Sequence, residues 1–170
     1  AVVGVIAFVV AATAFYAVSF ERIYTRPHTA VQASRWINQN IPRNSIIITD
    51  NHWDEGIPDI YRYTVRQVPI YDPDTRNKMD TIAEHLTEGD YLIFYSNRTY
   101  GSVSRVPERY PMSSRYYRLL FAGELGYVPE AVFTSYPRLL GVSLVDDTFG
   151  RAGIPEPESI KALAPGGVTL

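Results

Sequence analysis

The 170-residue chain has no cysteine, which excludes a disulfide framework, a thiolate metal site and a cysteine nucleophile. It also lacks charge of one dominant sign. Sixteen Lys and Arg stand against eighteen Asp and Glu, a formal net charge of −2, so no overall basic field would concentrate nucleic acid, and no nucleic-acid partner is expected. No GxSxG elbow, Walker-type loop or Rossmann glycine fingerprint occurs, which leaves serine hydrolase and nucleotide-binding functions without support. Neither HExxH nor a twelve-residue calcium loop is present, and no cofactor is expected. There is no internal repeat and no low-complexity tract.

What is present begins at the first residue. The apolar content of 46% is that of a folded chain, but it is unevenly spread, because no charge precedes Glu21. A helix of about 20 apolar residues at a rise near 1.5 Å is about 30 Å long, the thickness of a bilayer's hydrocarbon core. Residues 1–22 are therefore expected to form a transmembrane helix, with a buried core helix as the competing possibility. A secretory signal would need an initiating Met and a basic n-region, and the chain opens with neither. Opening inside such a helix, it reads as a fragment or a processed product. Glu21, Arg22, Tyr24 and Arg26 form a collar of mixed charge, too balanced for the positive-inside rule to orient.

Beyond the collar the hydrophobic period alternates. Pro27 is expected to open a helix carrying Ala30, Ala33, Ile37 and Ile41, stopped by Pro42. The β-branched run Ser45–Thr49 predicts a strand covered on both faces, and a second is expected from Gln67 to Tyr71. Asp74 and Thr75 are placed to cap a helix whose Met79, Ile82, Ala83 and Leu86 share a face, with Gly89 as its stop. Tyr91–Tyr95 predicts another strand. Met112, Tyr116, Leu119 and Leu120 make the stripe of a further helix, ended by Gly123 or Gly126, before strands at Ala131–Tyr136 and Leu140–Val145. This alternation predicts an α/β fold, a three-layer sandwich with a mainly parallel sheet, tethered by its first helix. The expected division is 1–22 transmembrane helix, 23–147 α/β domain and 148–170 Pro/Gly-rich tail or loop.

Two polar constellations follow predicted strands. The first is the loop Asp50-Asn51-His52-Trp53-Asp54-Glu55, which contains His52, Asp54 and Glu55 as candidates; in doubly wound folds ligands gather at the carboxyl ends of strands. Its imidazole and carboxylates could hold a divalent ion or do acid–base work, although a solvated loop explains them as well. The second is the segment Asn97–Tyr110, with Arg115 beyond it. Arg98, Arg105, Arg109 and Arg115 are interleaved with tyrosines there and suit an anionic headgroup or a lipid-linked phosphate. The alternative is internal pairing with residues 50–90, which carry ten acids against four bases. Asn97-Arg98-Thr99 also fits the N-glycosylation pattern, and His28 and His85 read as isolated surface or packed histidines.

In order along the chain stand YTRPHTAVQASRWINQNIPRNSIIITDNHWDEGIP, YDPDT, DYLIFYSNRTYGSVSRVPERYP, SRYYRLLFAGELGY and FTSYPRL. Over roughly residues 20–147 the sequence resembles the C-terminal extracytoplasmic region of polytopic glycosyltransferases that use a phospholipid-carrier sugar donor, the class related to protein mannosyltransferases. The resemblance implies a soluble domain on the extracytoplasmic side and a polyprenyl-phosphate-linked sugar as a partner besides the lipid bilayer. Members of that class carry their catalytic carboxylates in an early extracytoplasmic loop. Nothing here matches that loop, so the implied enzyme fragment is not catalytic by itself, and no catalytic residue or metal ligand is assigned. The alternative is a single-span accessory subunit, non-catalytic, packed against other membrane subunits of a larger complex. A free-standing soluble enzyme is the third possibility.

Overall fold

The computed structural model describes residues 1–50, 58–146, 148–154, 157–163 and 168–169. The uncharged opening run forms one continuous helix, α1 (Val2–Glu21), whose side chains point away from the rest of the molecule: Val3 is 80% and Phe8 73% exposed. It is not a core helix. By length and composition it suffices to cross a membrane. Among the described residues, only its C-terminal end meets the domain, where Ser19 is buried and its Oγ donates to the Phe15 carbonyl at 2.6 Å.

A 3-10 turn (Arg22–Thr25) leads to α2 (Thr29–Asn40). Pro27 precedes this helix rather than opening it. The cap is His28, whose Nδ1 accepts from the Ala30 N–H at 3.2 Å. Strand β1 (Ile46–Asp50) then enters the middle of a sheet, between β2 (Thr64–Val68) and β3 (Tyr91–Ile93), with both neighbours parallel to it. Helix α3 (Arg76–Glu88) crosses between β2 and β3. Adjacent residues of β1 enter separate cores. Ile47 packs with Ile37 and Ile41 of α2, and Ile48 packs with Ile82 of α3 and with Tyr116, Tyr117 and Leu120 of α5 (Pro111–Phe121). That two-sided burial is why this strand is apolar without alternation.

Several boundaries differ from the sequence expectation. β2 covers 64–68 instead of 67–71, because Pro69 has no N–H to continue the ladder and the Ile70 N–H turns back to Val68 O at 2.8 Å. The stretch after β3 forms a short helix, α4 (Arg98–Val103), which was not expected. Residues 131–136, predicted as a strand, have no ladder partner among the described residues and run as irregular chain between Pro129 and Pro137. The strand expected at 140–145 is broken by a reversal at Leu140 and Gly141, both at positive φ. A hairpin of β4 (Arg138–Leu139) and β5 (Val142–Val145) results, and β6 (Val168–Thr169) pairs parallel to β5. Residues 148–170, expected as a tail or loop, contain α6 (Thr148–Ala152) and α7 (Glu158–Leu163). Phe149, Ala152 and Ile154 are buried in the Ile48 core, where Phe149 stacks on Tyr100 with ring centroids 5.4 Å apart.

Candidate functional site at the sheet switch point

The chain leaves β1 toward β2 and returns on its other side as β3, so the carboxyl ends of β1 and β3 form the point where strand order reverses, the usual ligand position in open α/β sheets. The last residue of β1 is Asp50. It is buried, and its Oδ2 accepts a short hydrogen bond from Thr99 Oγ1 of α4 and a longer one, 3.3 Å, from the Tyr117 hydroxyl of α5. Its Oδ1 has no partner among the described residues. Burial pushes the Asp50 carboxyl up to about 6, against the opposing hydrogen bonds from Thr99 and Tyr117. Burial, reinforced by the Asp50 charge, in turn holds the Tyr116 and Tyr117 hydroxyls well above their ordinary range. Because Thr99 is buried against Asp50, the Asn97-Arg98-Thr99 pattern has its hydroxyl turned inward.

Two cavities meet beside this cluster. A groove of about 800 Å³ runs along the outer edge of β3 from Thr29 and Ala30 of α2, over Trp36, Tyr91 and Tyr95, to Asn97, Tyr136 and Asp146. A smaller cleft of about 440 Å³ is lined by Arg98, Arg105 and Arg151 with Tyr71 and Ser102, and shares Asn97 and Asp146 with the groove. Arg151 comes from α6, and its Nη1 lies 2.9 Å from Asp146 Oδ1. Burial, then Tyr136, Asp50 and Asp146, push the Tyr100 hydroxyl at the groove wall up to about 12. It stays a neutral donor at any physiological pH.

Of the arginines singled out by sequence, Arg98 and Arg105 face this cleft. Arg109 lies over the Tyr110 ring, 5.2 Å from its centroid, and Arg115 is exposed on α5 between the buried Ser114 and Tyr116. His52, Asp54 and Glu55 lie outside the described residues. Pairing within the acidic stretch is local: Arg66 meets Glu88 at 3.4 Å, and Lys78 meets Asp74 at 3.0 Å. No pattern in the sequence marks Arg151 or Asp146 as part of this cleft, or Thr99 as the partner of Asp50. No short-range signal joins positions about 50 residues apart, and Arg151 fell in the presumed tail. Among the described residues, no three His, Asp or Glu side chains gather as a metal-holding group. Compared with known protein families, curated proteins and solved structures, the chain matches none.

Proposed function

We propose that the chain is the C-terminal membrane helix and extracytoplasmic domain of a membrane glycosyltransferase that uses a lipid-linked sugar donor, with catalysis supplied from elsewhere in the enzyme. The observation that supports this is the junction of the two cavities at Asn97 and Asp146. One arm is mostly apolar and rich in aromatic rings, with Asp90, Glu130 and Asp146 also in its wall, and the other carries three guanidinium groups. A polyprenyl-phosphate-linked sugar has the matching parts. Guanidinium forks bind phosphate oxygens bidentately, and Trp or Tyr rings offer amphipathic faces to a sugar or an isoprene unit. The groove starts at the first turn of α2, a few residues past the end of α1, so a ligand whose tail lies in the bilayer would need little extension to enter it. The two cores on opposite sides of β1 support a three-layer arrangement for the domain. Asp50 does not line either cavity. It is a positioning residue, tying α4, which begins with Arg98, to the central strand through Thr99.

The test is binding of polyprenyl phosphate by the intact chain in nanodiscs. Replacing Arg98 and Arg105 together with Ala should weaken binding at least about tenfold, two charge-assisted contacts being worth more than about 1.4 kcal/mol. Equal affinity in the variant would contradict the assignment of this cleft. Absence of binding by the unaltered chain would favour the accessory-subunit alternative.

A further inference from the structure

The hairpin β4–β5 turns through two residues, Leu140 and Gly141, at φ +50° and +84°. Such a two-residue turn favours Asn-Gly or Asp-Gly, because both central residues must adopt the left-handed conformation. Leucine is a poor choice there on backbone grounds. It is also a poor choice in water, since its side chain is 87% exposed at the tip, with Val142 beside it 39% exposed. A polar residue would relieve both problems.

The position of the hairpin supplies a reason. Its first strand packs against the C-terminal end of α1 and against the 3-10 turn that follows. Ser19 is buried there and Phe15, one turn earlier, is half-buried. This is the level at which the apolar run ends at Phe20 and the charges of Glu21 and Arg22 begin. Leu140 directly follows the strand that touches α1, one residue or about 4 Å of chain beyond it. Phe20 at the end of α1 and Tyr24 in the turn that follows are 41% and 74% exposed, suited to an interfacial aromatic belt.

We propose that the Leu140–Gly141 turn is a second membrane contact, inserted into the headgroup and upper acyl layer beside α1, so that the domain is held to the bilayer at two points. This rests on α1 crossing the membrane. With two contacts the domain cannot swivel freely about the helix, and the mouth of the groove near Thr29 keeps a fixed height above the lipid.

The cysteine-free chain permits a clean test. A nitroxide is placed on Leu140→Cys, with Val9→Cys in α1 and Glu84→Cys on the exposed face of α3 as references, in phospholipid vesicles. Accessibility to oxygen, which partitions into lipid, is compared with accessibility to a water-soluble nickel chelate. The Leu140→Cys label should give an oxygen-to-chelate ratio several-fold above that of Glu84→Cys and approaching that of Val9→Cys. A ratio equal to Glu84→Cys, with Val9→Cys still in lipid, would overturn the proposal while leaving the spanning helix intact. Protection from both reagents would mean that protein covers the turn, which also overturns it. A Val9→Cys label as water-accessible as Glu84→Cys would remove the membrane assignment itself and the second contact with it.

Discussion

A carboxyl group withdrawn from water at the end of the central strand leaves a thermodynamic trace. Asp50 has its folded pKa raised from 3.8 to about 6, so folding favours its protonated form. Its effect on stability is absent below about pH 4; the folded state loses stability as pH rises from there to about 6 and stays penalised above. Asp50→Asn keeps the shape and a hydrogen-bonding side chain without the charge. It should raise stability at pH 7 to 8 by on the order of 3 kcal/mol, and flatten the decline between about pH 4 and 6, as read by urea unfolding across pH. A variant equal to the parent at pH 8 would show that the Asp50 carboxylate is well solvated. Asp74 behaves in the opposite sense. Burial pushes its carboxyl up, but hydrogen bonds from Ser113 and Lys78 outweigh this and hold it below the ordinary carboxylate range. Its contribution is therefore present above its unfolded pKa and is lost as pH falls through the folded value. The three N–H bonds of Lys78 Nζ, whose side chain is 2% exposed, are shared among four acceptors: Asp74 Oδ1, Ser113 Oγ and the carbonyls of Ile70 and Asp72. Asp74→Asn would strand that buried ammonium and should cost about 3 to 5 kcal/mol in chemical denaturation. A loss under 1 kcal/mol would mean that the lysine finds water.

At the scale of elements, α2, α3 and α5 were legible in the sequence because their apolar stripes face a core, whereas α4, α6 and α7 were not. Met79, Ile82 and Leu86 of α3 and Tyr116 and Leu120 of α5 all pack around Ile48 and Val68. Thr75 alone caps α3, whereas Asp74 accepts from the Met112 and Ser113 N–H groups, 38 and 39 residues later, and so caps α5. Local spacing cannot tell a near helix start from a distant one. The same limit hid α4, which carries no apolar periodicity and is held by the Asp50–Thr99 contact. Gly89 was expected as a helix stop, and it ends α3, but at φ −81°, which any residue can adopt. Glycine is needed there because a Cβ would run into the Ile48 side chain. Gly89→Ala should therefore destabilise by about 1 to 3 kcal/mol through overpacking, measured by thermal or urea unfolding. A neutral substitution would show that Ile48 has room to move.

At the scale of the molecule, composition averaged over the chain conceals a division that the structure makes plain. One end is a bare apolar rod, and the other is a polar-surfaced α/β domain built on a small parallel sheet. The rod was legible because absence of charge over 20 residues needs no tertiary context. Half of the candidate site was legible too, in Arg98 and Arg105, because basic residues follow a strand. The other half was not, since Arg151 and Asp146 reach the cleft from the presumed tail and from the end of β5. Function, groove entrance and hairpin contact all depend on where α1 resides. The decisive measurement is flotation of the intact chain with phospholipid vesicles after an alkaline carbonate wash, which strips peripheral proteins but not spanning helices. The chain should rise with the vesicles in full. Recovery as a monodisperse species in the aqueous fraction would contradict the account.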